Sequence, residues 1–217
     1  MTHARAERAA LSDLFLQVGP DAPTLCEGWT AFDLAAHLVL RERRLDAAGG
    51  IAIRRLAGRT AAVQESLKAR HGYAGLVELV RSGPAGLYGL VPGLDRAVNT
   101  VELFVHHEDV RRAQPGWEPR ELSPGFEELL WSRLRGLGRL LLRRSPVGVV
   151  LRRTGGPAGG GSRDVLLGGP RGGARVEVSG RPGELVMFCF GRQPYARVEP
   201  AGSPEAVARL RDASLGL

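Results

Sequence analysis

The stretch "VELFVHHEDVRR", Val101–Arg112, decides how the chain is read. It carries two of the chain's five histidines side by side and three acidic residues within eight positions. Its apolar spacing is helical, so the angular positions of these groups follow from 100° per residue. Glu102 and His106 are four apart and differ by about 40°, so their side chains converge. Val98, Val101 and Val105 lie on nearby positions, which places the pair at the edge of the buried stripe or inside it. His107 is turned about 100° from His106 and does not join that pair. Glu108 and Asp109 turn further and are expected to face solvent or the arginines. Asp109 and Arg112, three apart, have the spacing of a surface ion pair.

A carboxylate and an imidazole that share a buried edge need a reason. An E-x-x-x-H pair offers one oxygen and one nitrogen, a donor set that suits a divalent metal. On spacing alone, however, an ion pair is the commoner explanation. A metal that keeps a position open for chemistry needs a third protein ligand. His37 is the best candidate, because it sits mid-helix in the apolar run "DLAAHLVL". Helix bundles build such sites from inward side chains on facing helices. A lone histidine in an apolar stripe is also commonly a core residue with its hydrogen bonds satisfied. Asp33, one turn earlier, has two possible uses: accepting from the other nitrogen of the His37 ring, or capping the helix.

The segment around His37, "EGWTAFDLAAHLVLRERR", reads as a helix running to Arg44. Thr30 and Asp33 form a capping box with Asp in place of the usual Glu or Gln, and Gly49-Gly50 is the break. Residues 4–17 have helical spacing, 51–70 and 73–81 read as shorter helices, and "SGPAGLYGLVPG" as a loop. The helix containing Val101 is expected over 95–113, ended by Pro115-Gly116. Another begins at Ser123, with Ser as N-cap and Pro124 first inside, and ends near Pro146. Glycine then becomes frequent and the period shortens. "VGVVLRR", "RDVLLG", "ARVEVSG" and "YARVEP" read as short strands. "RPGELVMFCFGR" is expected to start a helix at Pro182, and "SPEAVARLRDA" is a closing helix capped by Ser203. "TGGPAGGGSRD" reads as a hairpin loop; it lacks the ending of a phosphate-cradling loop. His3 falls at the expected disordered start and His71 in a glycine-flanked loop, and neither is assigned a role. The expectation is an α+β chain with no internal repeat: a helix bundle over 1–145 and a small α+β unit over 146–217.

Bulk properties narrow the classes. The 217 residues are 43% hydrophobic and 24% charged, as in a soluble globular protein. No apolar run reaches the roughly 20 residues of a membrane helix, and the N-terminus does not read as a signal peptide. Cys26 and Cys189 form no C-x-x-C pair, which favours two reduced thiols and a cytoplasmic protein. The net charge of +7 is almost all arginine, since Lys68 is the only lysine. The arginines occur as scattered pairs and the aromatics, at 6%, are not interleaved with them, which argues against a nucleic-acid platform.

"TLCEGWTAFDLAAHL" followed by "NTVELFVHHEDVRRA" resembles the mycothiol-dependent maleylpyruvate isomerase family, part of the DinB-like superfamily of metal-binding four-helix bundles. The matching pieces are G-W-T-x-x-D-L-x-x-H at Gly28–His37 and E-x-x-x-H at Glu102–His106. "GELVMFCFGR" is similar to the family's second domain, a small α+β unit related to sterol-carrier-protein folds. The resemblance implies a metal, usually zinc, held by His37, Glu102 and His106, and mycothiol as a low-molecular-weight thiol cofactor. It also implies a small electrophilic substrate. Sulfur adding to a double bond and leaving again permits cis–trans isomerisation; sulfur displacing a leaving group gives thiol transfer. Arg192 is a candidate anchor for an acidic substrate, or a charge at the end of its helix. Cys26 lines the pocket or fills a small apolar space. His107 is a general base beside the metal or a surface residue. The competing expectation is a non-catalytic metal-binding interaction module.

Overall fold

The computed structural model describes residues 2–43, 57–84, 94–155, 165–170 and 172–216. Contacts divide the chain into two units, Met1–Glu118 and Pro119–Leu217. The glycine-based boundary was expected at 145/146; the contact boundary lies at 118/119.

The first unit consists of four helices: α1 His3–Val18, α2 Ala31–Arg43, α3 Ala57–Ser82 and α4 Leu94–Arg111. Thr2 caps α1, accepting from the Arg5 backbone N–H, so His3 opens an ordered helix instead of a disordered start. α3 joins the two helical segments expected on either side of Gly72. Gly72 has φ 61° and ψ 177°, a left-handed conformation open to glycine, and it kinks the helix there. His71 therefore belongs to this helix and not to a loop. The expected break at Gly49-Gly50 lies outside the described residues, as does most of the loop "SGPAGLYGLVPG".

The apolar stripes meet in one core, where Leu11 and Phe15 of α1, Leu34 and Leu38 of α2, Leu76 and Val80 of α3, and Leu103 and Val110 of α4 are buried. Each such side chain contributes about 1.5–3 kcal/mol by leaving water. Ala35 and Ala36, also buried, keep α2 slim on its packed face. Tyr73 lies edge-on to both Phe15 and Phe32, at centroid distances of 6.3 and 5.7 Å. Its hydroxyl donates to the Phe15 carbonyl at 2.6 Å.

The second unit begins with α5, Pro124–Leu141, capped by Ser123 as its sequence specifies. A four-stranded sheet follows: β1 Gly148–Arg153, β2 Val165–Gly168, β3 Arg175–Gly180 and β4 Glu199–Ala201, in the order β2-β1-β3-β4. β1 and β3 are parallel; the outer pairs are antiparallel. The β1–β2 pairing suits the expected hairpin, whose tip at 156–164 lies outside the described residues. α6, Pro182–Cys189, and α7, Pro204–Arg211, complete the unit. Gly138 of α5 lies against Leu166 of β2 so closely that a Cβ there would overlap it. This close approach seats α5 on β2 within the second unit.

Candidate metal centre

The site is built from α2, α4 and the loop between α1 and α2. The capping box predicted for α2 is present. Asp33 Oδ2 accepts from the Thr30 backbone N–H at 2.9 Å and from its hydroxyl at 2.8 Å, while Thr30 Oγ1 accepts from the Asp33 N–H at 3.4 Å. The other Asp33 oxygen pairs with Lys68 Nζ of α3 at 2.8 Å. Asp33 thus serves as cap and ion-pair partner; its contacts do not include the His37 ring. The loop before it is tied to the end of α4. The Leu25 N–H donates to the Asp109 carbonyl at 3.0 Å, and Gln114 Nε2 donates to the carbonyls of Pro23 and Val110 at 3.1 and 2.9 Å. These bonds set the start of α2 against α4, two turns ahead of His37.

His37 and His106 then face one another, with ring centroids 5.5 Å apart and planes at 74°. Trp29 covers the other side of His37 at 4.9 Å. Both histidines are buried, each 7% exposed. Among the described residues the His37 ring makes these ring contacts and no hydrogen bond. Burial, with His106 and Arg41 beside it, pushes its imidazole down to about 3. The ring is therefore neutral, the state in which imidazole binds a metal. Glu102 Oε2 lies 3.6 Å from His106 Nε2 and 3.4 Å from an Arg41 guanidinium nitrogen. The Glu102 side chain is 23% exposed, so the cluster has one side open to solvent.

The second nitrogen of His106 has its own partner. Its Nδ1 lies 3.0 Å from Oδ2 of Asp109, a residue with no exposed surface. The Cys26 thiol donates to the same oxygen at 3.3 Å. Burial lowers the His106 pKa, but Asp109 and Cys26 outweigh it and raise it to about 9. A carboxylate on the far nitrogen of a ligating histidine fixes its tautomer and raises its basicity.

The expectation that Asp109 faces solvent or forms a surface pair with Arg112 is therefore corrected, while Glu108 does turn to the arginines. Asp109 turns to His106, while Glu108, also buried, accepts from Arg112 Nε at 2.6 Å. The Arg112 guanidinium lies 4.9 Å from the centre of the Trp117 ring. Asp109 was legible as a site residue: seven positions after Glu102, it lies within about 20° of it around the helix. His107 is not a surface residue either, being 5% exposed, with Nδ1 2.9 Å from Glu7 Oε2 of α1. Cys26 is half-buried and acts through its thiol donor. Arg192 lies in the second unit and donates to the Phe190 carbonyl at 2.7 Å, at the end of α6.

His37, Glu102 and His106 offer two imidazoles and a carboxylate, donor types that bind divalent metals. Among the described residues, the group whose three ligand atoms all lie within 4.8 Å of one another is Cys26, His106 and Asp109. Its members are already hydrogen-bonded among themselves, and it would draw on Nδ1, the nitrogen that Asp109 holds.

Residues 2–96 match the family model of the mycothiol maleylpyruvate isomerase N-terminal domain. The match takes in His37 and ends before Glu102 and His106. Two crystal structures share the fold. One is of the mycothiol-dependent maleylpyruvate isomerase, with TM-score 0.54 and 19% identity, covering 92% of this chain and 90% of that one. The other is a point mutant of that enzyme, with TM-score 0.56, 18% identity and the same coverage. At these identities the likeness is one of fold, and it spans both units: the helical bundle and the small mixed sheet. A comparison with curated protein sequences finds no match. Among the described residues, no helix is long and apolar enough to cross a membrane.

Proposed function

We propose, from the match of residues 2–96 to the mycothiol maleylpyruvate isomerase N-terminal domain model and from the shared fold, that this chain is a metal-dependent enzyme. It uses a low-molecular-weight thiol, mycothiol, to isomerise a small electrophilic substrate or to transfer the thiol to it. His37, Glu102 and His106 hold the metal, and zinc is the ion their donor set suits. A bound ion of this kind holds a coordinated thiol as its thiolate.

The observation that carries the proposal is the convergence of two buried imidazoles, one of them without a hydrogen bond, beside a carboxylate that keeps an open side. Each residue has a defined task. His37 presents a neutral ring, and Trp29 holds that ring by covering its far face. Asp109 accepts from Nδ1 of His106 and leaves Nε2 to ligate. Arg41 tempers the charge of Glu102 at the rim and offers a positive group near the open side. His107, held by Glu7, fixes the rotation of α4 from the side of α1.

The test is the metal content of protein purified without a histidine tag, followed by thiol-dependent turnover on a panel of small electrophiles. Metal near one equivalent in the wild type, lost in His37→Ala and Glu102→Ala, is the expected result. Unchanged metal in both variants would refute the ligand set. Metal without turnover for any thiol would favour the non-catalytic interaction module. Metal lost in Cys26→Ser but kept in Glu102→Ala would move the ion to the Nδ1 side of His106.

A further inference from the structure

The second unit contains a groove of about 590 Å³ with three arginines, Arg139, Arg143 and Arg175, on its walls. The end of α5 forms one side; the start of β1 and the end of β2 form the others. Among the described residues that line it there is no carboxylate. Arg152 and Arg153, close by in sequence, pair with Glu177 and Glu128. In contrast, Arg139 and Arg175 have no ion-pair partner among the described residues, and Arg143 donates only to the Leu140 carbonyl, at 3.1 Å.

The backbone is shaped to hold one of these cations. Gly148 stands opposite Arg175 in the parallel β1–β3 register. A Cβ on Gly148 would sit 2.9 Å from Arg175 Cγ, so the glycine leaves room for the arginine stem to lie across β1. The rim also has an apolar part. Leu167 of β2 is 56% exposed and borders the groove beside Val150.

We propose that this groove is a binding site for a small organic phosphate, with its phosphate on Arg139, Arg143 and Arg175 and its apolar part against Leu167. Guanidinium groups match phosphate oxygens two at a time, which makes arginine the side chain suited to this recognition. Three uncompensated cations around one concavity also concentrate anions there. The volume lies within the range of small-molecule sites. The groove belongs to the second unit and the residues of the candidate metal centre to the first, and nothing in the proposed catalysis uses the groove.

Phenyl phosphate is the probe. It is titrated calorimetrically into the full-length, metal-loaded chain at low ionic strength, alongside inorganic phosphate and benzoate. Saturable binding is expected, tighter for phenyl phosphate than for inorganic phosphate or benzoate. The double variant R139Q/R175Q should weaken it at least about tenfold through loss of charge-assisted bonds. R211Q, outside the groove, should bind as the wild type does. H37A should also retain binding, because the groove owes nothing to the metal. Absence of saturable binding, wild-type affinity in R139Q/R175Q, loss in H37A, or equal affinity for benzoate would each overturn the proposal. Both arginines are exposed, and circular dichroism of R139Q/R175Q checks that the fold is kept.

Discussion

Asp109 Oδ2 lies 3.0 Å from His106 Nδ1 and 3.3 Å from the Cys26 thiol, on a carboxylate with no solvent exposure. An acid in the last turn of a helix is opposed by the helix dipole. Its burial there therefore needs compensation, which the imidazole and the thiol supply.

Asp109→Asn keeps the size of the side chain and removes its charge. Zinc affinity, measured by chelator competition, should fall about 10–100-fold, the usual loss when a histidine ligand loses its outer acceptor. Far-ultraviolet dichroism should be unchanged. Wild-type affinity in this variant would mean that Asp109 does not orient His106.

Burial works to raise the Asp33 pKa, but the bonds from Lys68 and Thr30 hold the carboxyl below its ordinary value. A lowered folded pKa gives stability that is present above the unfolded value of 3.8 and lost as pH falls through the folded one. Asp33→Asn keeps an acceptor for Thr30 but loses the charge opposite Lys68, and should cost up to about 1 kcal/mol at neutral pH. That gap should close in acid, where the wild-type carboxyl is itself protonated. Urea unfolding of chelator-stripped protein from pH 7 down to pH 2 measures this. A constant gap across that range would show that the charge of Asp33 contributes nothing.

Arg8 and Glu42 form a buried double contact of 2.7 and 2.6 Å, and Arg8 also donates to the Val80 carbonyl at 2.9 Å. Glu42→Gln leaves a guanidinium buried without its anion and should destabilise the chain by about 3–5 kcal/mol. The double change R8M/E42L should recover most of that loss, because an apolar pair avoids the desolvation cost. Denaturant midpoints of the three proteins decide the matter. A double variant as weak as Glu42→Gln would show that the ion pair itself is the source of stability.

The two cysteines should differ in reactivity. Cys189 is wholly enclosed and burial pushes its thiol pKa up, whereas Cys26 is partly exposed. Iodoacetamide on the native chain should therefore modify Cys26 and spare Cys189 until denaturant is added, as read by mass spectrometry of peptides. Equal labelling in the native state would contradict the enclosure of α6.

What the sequence made legible was local. Thr30, Ser123 and Ser203 cap the helices that follow them because capping depends on residues two or three positions away. Gly72 separated two helical patterns where α3 kinks. His37, Glu102 and His106 emerged from helical angles and a family resemblance, and they lie together as those angles imply. The failures were long-range. The burial of His107 was not legible, since its partner Glu7 lies a hundred positions away on another helix. The three-residue spacing of Asp109 and Arg112 suggests a surface pair, whereas the seven-residue spacing from Glu102 puts Asp109 on the face of the site. The boundary near 146 followed glycine content. The contact of Gly138 with Leu166, which draws α5 to the sheet, leaves no trace in local composition.

The bonds from Leu25 and Gln114 give the α1–α2 loop a further meaning. α2 and α4 are tied together through this loop. Transplanting the three donor residues onto two helices of another scaffold would therefore reproduce their identities without their alignment. The smallest portable version of this centre is a three-part cassette: residues 19–30, α2, and α4 extended to Gln114.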